Sequence, residues 1–334
     1  MGIRYVLAGR LHRDFLLPFN ARPLLDVPGG NLLYAATGLS LWDKALGLLA
    51  RVGEDYPRQW LDRFVRYGWD IQGIKIVPEK LDLRYFQALL DPYTVQKTNP
   101  VSHFVRLGMT FPKALLGYTP PVEQSDDLKT VHPASPRPGD IPPTYLDANA
   151  AHICPLDFMS ANRLVAAFQQ AKLTTLTLDP LSSWMLPEAW DEVRGLVHGL
   201  TAFLPSEEEA RSLFRNRSTD LWEIAEALAS FGCDFVIIKC GAQGQLLYDA
   251  STQKRWHIPA YPARLADPTG AGDAFCGGFL AGYLKTFDPL RAVLHGNISA
   301  SLAIEGSGAL YALDTLPRLA QARLESLAGL VRQE

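Results

Sequence analysis

A glycine-rich stretch at residues 267–273 carries the residue types with the clearest chemistry, reading Asp-Pro-Thr-Gly-Ala-Gly-Asp. The residues after it have apolar side chains at helical spacing, which predicts a tight turn leading directly into a helix. Amide N–H groups at a helix start have no internal partner and lie at the positive end of the dipole, so the turn can bind phosphate oxygens. Asp273 can then accept a proton from an attacking hydroxyl.

The same turn also has a purely structural interpretation, because glycine is common in turns and aspartate is common at helix starts. Gly277, Gly278 and Gly282 follow within the predicted helix. Each lowers helix propensity by up to about 1 kcal/mol. Their presence is explained if the helix packs closely against something, and close packing under a ligand site is one such reason.

Short apolar runs alternate with helical patterns along most of the chain, which is typical of βαβ units and of a parallel sheet with helices on both faces. The predicted strands are residues 5–8, 46–52, 174–178, 201–204 and 234–239. The predicted helices are residues 32–41, 58–67, 161–171, 188–197, 221–231, 273–285, 290–304 and 316–331. This pattern positions the glycine-rich turn before the first helix of the C-terminal third.

Two regions depart from the alternation. Residues 71–77 and 84–90 are predicted as strands with no helix between them, which indicates a small antiparallel flap. A lid would then be formed by segments near 10–18 and 71–91, within a single domain spanning 1–334. Residues 111–143 are predicted to be an irregular surface excursion, because they contain many prolines: Pro112, Pro120, Pro121, Pro133, Pro136, Pro138, Pro142 and Pro143.

The composition narrows the classes of function. The chain has 48% hydrophobic and 20% charged residues, a composition that is typical of a folded globular protein. Its 32 Lys and Arg against 35 Asp and Glu provide no positive excess, so neither nucleic acid nor a membrane is predicted as a partner. The N-terminal residues lack the apolar run of a signal peptide, and four irregularly spaced cysteines favour a reducing compartment. We therefore expect a cytoplasmic protein.

Several common catalytic motifs are missing from the sequence. It contains no Gly-x-x-x-x-Gly-Lys-Ser/Thr run and no Gly-x-Ser-x-Gly elbow, and its seven histidines show no metal-ligand spacing. The dinucleotide fingerprint is approached only at residues 270–275, far from the first strand. A nicotinamide-dependent oxidoreductase is thus a weak competitor.

Residues 267–273 resemble the second signature of the PfkB (ribokinase-like) family of sugar and nucleoside kinases, Asp/Asn-x-x-Gly-Ala-Gly-Asp. Segments 9–14, 28–31, 52–55, 178–180 and 239–244 resemble further family segments in the same order. The resemblance implies an α/β fold, a ribokinase-like three-layer α/β/α architecture with a mostly parallel sheet and a small β-sheet lid. It also implies transfer of the γ-phosphoryl group of ATP to a hydroxyl, expected to be a primary alcohol, of a sugar or related polyol. Its implied cofactors are ATP and Mg²⁺, with a monovalent cation as a further candidate.

The resemblance assigns roles by position. Asp273 would be the general base, and the anion hole would be formed by Gly270, Ala271 and Gly272. The implied substrate-binding residues are Asp14, Gly29, Gly30, Asn31 and Tyr34. The implied nucleotide-binding residues are Lys239, Gly241, Gly244, Thr269, Asn297 and Gly308. Glu209 would bind the metal through water.

The sequence departs from the family pattern at two positions. Tyr34 stands where the first signature often has Asn, which changes the hydrogen bonds offered to the substrate and adds bulk. Ser206 replaces the Asn of an Asn-x-x-Glu motif that ends at Glu209. A non-catalytic sugar- or nucleotide-binding protein and a nucleoside kinase are therefore the alternatives, and ribose, a ketohexose, a ketodeoxy acid and a nucleoside all stay open as ligands. A homodimer that pairs through the lid is a further prediction.

Overall fold

A computed structural model describes residues 2–91, 94–120, 128–171, 173–316, 318–329 and 332–333. Its strands are β1 (Tyr5–Ala8), β2 (His12–Leu17), β3 (Leu24–Gly29), β4 (Leu46–Gly53), β5 (Ile74–Val77), β6 (Arg84–Leu89), β7 (Val95–Gln96), β8 (Ala150–Ile153), β9 (Thr175–Leu178), β10 (Ala202–Phe203), β11 (Phe235–Lys239), β12 (Gln245–Asp249), β13 (Lys254–Ile258) and β14 (Arg332–Gln333). Its α-helices are α1 (Asn31–Ser40), α2 (Arg58–Arg66), α3 (Pro100–Arg106), α4 (Phe158–Gln169), α5 (Trp190–Val197), α6 (Glu207–Leu213), α7 (Leu221–Ala229), α8 (Ala271–Thr286), α9 (Pro289–Ala303) and α10 (Leu319–Ala328).

Ten strands form one sheet in the order β14, β13, β12, β11, β10, β9, β8, β1, β4, β5. The neighbouring strands β11, β10, β9, β8, β1, β4 and β5 are all parallel to one another. On the other side of β11, the pairs β11–β12, β12–β13 and β13–β14 are antiparallel. Side chains alternate between two buried layers: Tyr5 and Leu7 pack on one face of β1, and Val6 and Ala8 pack on the other. The predicted three-layer α/β/α architecture with a mostly parallel sheet is confirmed.

Four strands form a second, smaller sheet in the order β3, β2, β6, β7, which we call the lid sheet. Strand β2 begins soon after the carboxyl end of β1, so the lid sheet lies at the edge of the large sheet where parallel strands end. Its Phe15 and Phe86 pack with Phe104 of α3 and with Leu115. One face of the lid sheet is therefore already covered by the chain itself.

The prediction that residues 71–77 belong to the lid is wrong. Strand β5 pairs in parallel with β4, with Ala50 opposite Ile74 and Gly53 opposite Val77. Helix α2 connects these two strands, so they form a βαβ unit at the edge of the large sheet. Strand β6 pairs instead with β2, also in parallel. The short turn around Pro78 separates the two sheets and does not form a hairpin.

The helix that follows the glycine-rich turn packs closely against its neighbours. A β-carbon on Gly277 would overlap the carbonyl oxygen of Ala35 in α1, and one on Gly38 would overlap that of Ala274. A β-carbon on Gly278 would likewise overlap the hydroxyl oxygen of Ser299 in α9. The glycines thus allow helices α1 and α9 to press against α8, which fixes the position of the turn at its N-terminus.

In the described part of residues 111–143, short 3₁₀ turns at Lys113–Leu115 and Pro138–Asp140 interrupt an irregular path. Pro121 lies outside the described residues. Within the ranges given above, no helix has both the length and the apolar character needed to cross a membrane. All four cysteines are free thiols.

Candidate active site

The candidate site lies beyond the carboxyl ends of the central strands, where ligands bind in open α/β sheets. Asp179 follows β9, and Lys239 ends β11. The turn at residues 267–272 reaches the same edge from the start of α8. The fold therefore brings together residues that are far apart in the sequence.

The glycine-rich turn offers free amide groups to an anion. Gly270 caps α8 with a φ of 73°, and a β-carbon there would overlap the ring of Tyr34. The Ala271 N–H, also predicted to contribute to the anion hole, donates to the Pro268 carbonyl oxygen at 3.2 Å. The N–H groups of Gly270, Gly272 and Asp273 have no acceptor among the described residues. These three amides can hold an anion.

A lysine side chain lies beside this turn. Lys239 Nζ donates to Asp179 Oδ2 at 2.5 Å and lies 3.7 Å from Cys276 Sγ. A β-carbon on Gly272 would be 3.5 Å from the same Nζ. Burial opposes the charge on Lys239, yet the carboxylate of Asp179 raises its pKa above the usual range. The lysine is therefore charged, and its ammonium group lies beside Gly272 of the turn.

Asp273 has the electrostatics of a general base. Desolvation by the surrounding protein raises the pKa of Asp273 to about 7, with a further increase from Asp179 and Glu209 and opposition from Lys239. An ordinary aspartate has a pKa near 3.8 and accepts a proton weakly at neutral pH. The raised pKa makes Asp273 a stronger base that is still substantially ionised at neutral pH.

Glu209 is held by the start of α6. Its Oε2 accepts the Ser206 N–H at 2.8 Å, its Oε1 accepts the Ser182 hydroxyl at 2.8 Å, and Ser206 Oγ accepts the Glu209 N–H. This is a capping box, so Ser206 serves as helix cap where the family motif has Asn. The predicted metal role therefore falls on a carboxylate whose two oxygens already accept protein donors.

The site also fits Mg²⁺ by charge. Asp179, Glu209 and Asp273 interact electrostatically with one lysine, which leaves an excess of negative charge. Among the described residues, no three His, Cys, Asp or Glu side chains are arranged to ligate a metal directly. Mg²⁺ retains several waters and needs few protein ligands when it binds with phosphates. The residues present therefore fit a metal ion held mainly by phosphate and water.

A cavity of about 710 Å³ opens beside these groups. Of the six predicted nucleotide-binding residues, Lys239 and Gly241 line it, together with Ser206 and Arg215. Gly241 has open space in front of its α-carbon, whereas a β-carbon on Gly244 would overlap the Ile258 carbonyl oxygen. Gly244 therefore shapes the turn. Gly308 lies against Leu24 of the lid sheet.

Asp14 of the lid sheet forms the opposite side of the site. It is 2% exposed, and its carboxylate accepts the Gly30 N–H and lies directly over Gly29. Burial raises the pKa of Asp14 to about 8. Its Oδ1 makes no hydrogen bond within the described structure. The two glycines thus create the space and the donor that hold Asp14.

Tyr34 fills the space between Asp14 and the glycine-rich turn. It is 5% exposed, its ring packs on Gly270, and its hydroxyl has no hydrogen-bond partner in the part of the chain described. A buried hydroxyl without a partner is costly, which indicates a position for a ligand. Tyr34 and Asp14 therefore present two unsatisfied polar atoms near Asp273.

Two side chains predicted to contact ligands form hydrogen bonds within the protein. Asn31 Oδ1 accepts the Arg10 N–H at 2.8 Å, and Asn31 Nδ2 donates to the Pro155 carbonyl at 2.7 Å. Asn297 is buried, and it joins Gln245, Pro259 and Tyr261 by three hydrogen bonds of 2.8–2.9 Å. Both side chains therefore help to hold loops in place.

Some residues of the site escaped the sequence analysis. Asp179 lies in segment 178–180, which the resemblance covers, but it was given no role, although it directly follows a predicted strand. Gln87 had no local signal, and its Nε2 donates to Thr269 Oγ1 across 182 residues. Thr269, predicted to contact the nucleotide, also donates to Asp267 Oδ1 at 2.6 Å, so its hydroxyl is engaged within the protein.

Known proteins share the sequence pattern and the fold. The profile described as "pfkB family carbohydrate kinase" matches residues 148–316. A cytidine kinase from Thermococcus kodakarensis is 29% identical over 280 residues, which are 84% of this chain and 88% of that protein.

Solved structures share the architecture. An Escherichia coli protein assigned as Ribokinase II, in complex with ATP and Mg²⁺, superposes with a TM-score of 0.73 at 18% identity, over 98% of this chain and 100% of that one. A Burkholderia thailandensis nucleoside kinase in complex with inosine has a TM-score of 0.70 at 21% identity, over 97% of this chain and 99% of that one.

Proposed function

Because this chain belongs to the pfkB family of carbohydrate kinases, we propose that Asp273 is the general base in transfer of the γ-phosphoryl group of ATP to a primary hydroxyl. As a family member, the protein is an ATP-dependent phosphotransferase that acts on a hydroxyl of a sugar or nucleoside. The proposal concerns the residues that carry out this reaction and the position of the acceptor.

One observation carries the proposal: a basic carboxylate, three free amides and a lysine ammonium lie at a single turn. Asp273 follows the amides of Gly270 and Gly272 in the chain, and Lys239 Nζ lies next to Gly272. An acceptor hydroxyl in front of Asp273 would lose its proton to the carboxylate as its oxygen attacks phosphorus. The amides and the ammonium would stabilise the charge that develops on the transferred group.

The metal and the nucleotide would bind on the side of the large sheet. Mg²⁺ would supply charge neutralisation between the phosphates when bound. Glu209 would orient its water ligands, and the cavity beside Lys239 and Gly241 has room for the nucleotide. A monovalent cation remains a prediction, and it is supported by Asp267, which is 1% exposed with Oδ2 lacking a partner in the described chain.

The acceptor would bind on the side of the lid sheet. Asp14 Oδ1 and Tyr34 Oη are both buried without hydrogen-bond partners among the residues described. Hydroxyl groups of a sugar, or of the ribose of a nucleoside, would satisfy both atoms. Water exclusion by the lid sheet would limit hydrolysis of ATP.

The cellular location and the state of assembly are also part of the proposal. The four free thiols support a cytoplasmic protein. Balanced charge supports small-molecule ligands over nucleic acid. Because α3 covers one face of the lid sheet, a homodimer through the lid would have to use the edge strands β3 or β7.

The test is a panel of pentoses, ketohexoses, ketodeoxy acids and nucleosides, each with ATP and Mg²⁺. ADP release and the phosphorylated product are both measured. We expect at least one acceptor to give equal amounts of ADP and phosphomonoester. Thermal stabilisation by a ligand without any ATP consumption would contradict the proposal and favour the non-catalytic alternative.

A further inference from the structure

A buried glutamine joins the lid sheet to the glycine-rich turn. Gln87 of β6 is 5% exposed, and its Nε2 donates to Thr269 Oγ1 at 2.5 Å. The Thr269 hydroxyl donates in turn to Asp267 Oδ1, which also accepts the Thr269 N–H at 3.0 Å. A hydroxyl has one proton to donate, and here that proton is committed to Asp267. The threonine therefore accepts from Gln87 in one fixed orientation.

The other end of the Gln87 amide is held within the lid sheet. Its Oε1 accepts the Tyr85 hydroxyl at 3.2 Å. Strand β6 pairs with β2, which places Tyr85 opposite Asp14 and Gln87 opposite Leu16. A movement of the strand that carries Asp14 is thus transmitted to the Gln87 amide.

The turn end of this connection lies next to the anion hole. Thr269 directly precedes Gly270, whose left-handed φ starts α8. Rotation of Thr269 would change where the free amides of Gly270, Gly272 and Asp273 point. A shift of about 1 Å in such groups can lower a rate by about 100-fold.

We infer that Gln87 is a positioning residue that couples acceptor binding at the lid sheet to the geometry of the nucleotide's anion hole. Its effect on turnover rests on the proposed function, whereas the coupling itself can be measured without turnover. A merely structural glutamine would lower stability and leave both the coupling and kcat unchanged.

The first experiment measures amide hydrogen exchange with a non-hydrolysable ATP analogue, adenosine 5′-(β,γ-imido)triphosphate, and Mg²⁺. In the wild-type protein we expect the analogue to slow exchange both in residues 267–273 and in β2 and β6. In Gln87→Leu, protection should persist at the turn and disappear from the lid sheet. Wild-type protection confined to the turn, or an unchanged response in Gln87→Leu, would overturn the inference.

The second experiment uses the acceptor with the highest wild-type turnover. Loss of one buried hydrogen bond predicts a fall of about tenfold in kcat for Gln87→Leu, and the same for Gln87→Glu, whose carboxylate cannot donate to Thr269. Thr269→Ser keeps the hydroxyl and should retain activity. Thr269→Val also removes the hydrogen bond to Asp267, so its combination with Gln87→Leu should be no worse than Thr269→Val alone. Additive losses would overturn the inference.

Gln72→Leu is the matched control, because Gln72 makes an exposed hydrogen bond with Asp70 away from the site. It should match the wild type in both experiments. Absence of wild-type turnover on every acceptor would defeat the proposed function, whereas the exchange experiment decides the role of Gln87 separately.

Discussion

Gly29→Ala tests whether Asp14 must occupy its observed position to bind the acceptor. A β-carbon on Gly29 would lie 2.5 Å from Asp14 Oδ1 and closer still to its other carboxyl atoms, where real contacts do not fall below 3.0 Å. The backbone of β3 around Gly29 is fixed by pairing with β2, where Gly29 lies opposite His12 and Pro28 opposite Arg13, and the register shifts only beyond Asp14. The carboxyl group is therefore the part that has to move.

The size of the effect follows from what that movement breaks. The displaced carboxylate loses the Gly30 N–H and its alignment with an acceptor hydroxyl. Because the pKa of Asp14 is raised to about 8, the carboxyl group is mostly neutral at neutral pH, and a hydrogen bond between neutral groups contributes about 0.5–1.5 kcal/mol, which corresponds to about 2- to 13-fold in kcat/KM. We expect a decrease of this size for the acceptor and little change in the KM for ATP.

Steady-state kinetics with each substrate varied provide the assay. Gly195→Ala in α5 is the control, because a β-carbon there meets no atom within 4 Å. Asp14→Ala combined with Gly29→Ala should be no slower than Asp14→Ala alone, since both remove the same contact. An unchanged acceptor kcat/KM in Gly29→Ala, or an equal loss in Gly195→Ala, would refute the role given to Asp14.

Three further predictions follow from the same structure. Because the pKa of Asp273 is raised to about 7, its protonated form is inactive, so log kcat should fall with unit slope below about pH 7; a profile that stays flat down to pH 5 would contradict this. The pKa of Asp14 is raised from 3.8 to about 8 in the folded state, so its contribution to stability is complete below the unfolded pKa and is lost as pH rises through 8. In urea unfolding, the free energy of unfolding of Asp14→Asn should therefore increase relative to that of the wild type between pH 4 and pH 8. A difference that stays constant with pH would contradict this prediction. Gly277→Ala should cost about 1–3 kcal/mol of unfolding free energy by forcing α8 away from α1, and equal stability would disprove the close packing.

The glycine-rich turn and its base could be predicted because the residues that carry the chemistry are adjacent in the sequence. Residues 267–273 define the turn, the cap and the carboxylate within one segment, and α8 begins there at Ala271. The alternation of strands and helices likewise predicted the large sheet, because βαβ order leaves few other arrangements.

The errors concern contacts between distant segments. Residues 74–77 and 84–89 both have strand composition, and local pattern does not show that the first pairs with β4 and the second with β2. Asn31 bonds to Pro155 across 124 residues, and Gln87 to Thr269 across 182. A polar side chain looks the same in sequence whether its partner is a ligand or a distant loop, since only packing decides which one it meets.

The most direct test of the base assignment is single-turnover phosphoryl transfer by Asp273→Asn, with nucleotide binding measured on the same protein. The amide has the shape of the carboxyl group but cannot take the acceptor's proton, so the rate should fall by at least about 100-fold with ATP affinity unchanged. Asp62→Asn, on the exposed side of α2, should behave as the wild type. A rate within a fewfold of wild type for Asp273→Asn would contradict the account.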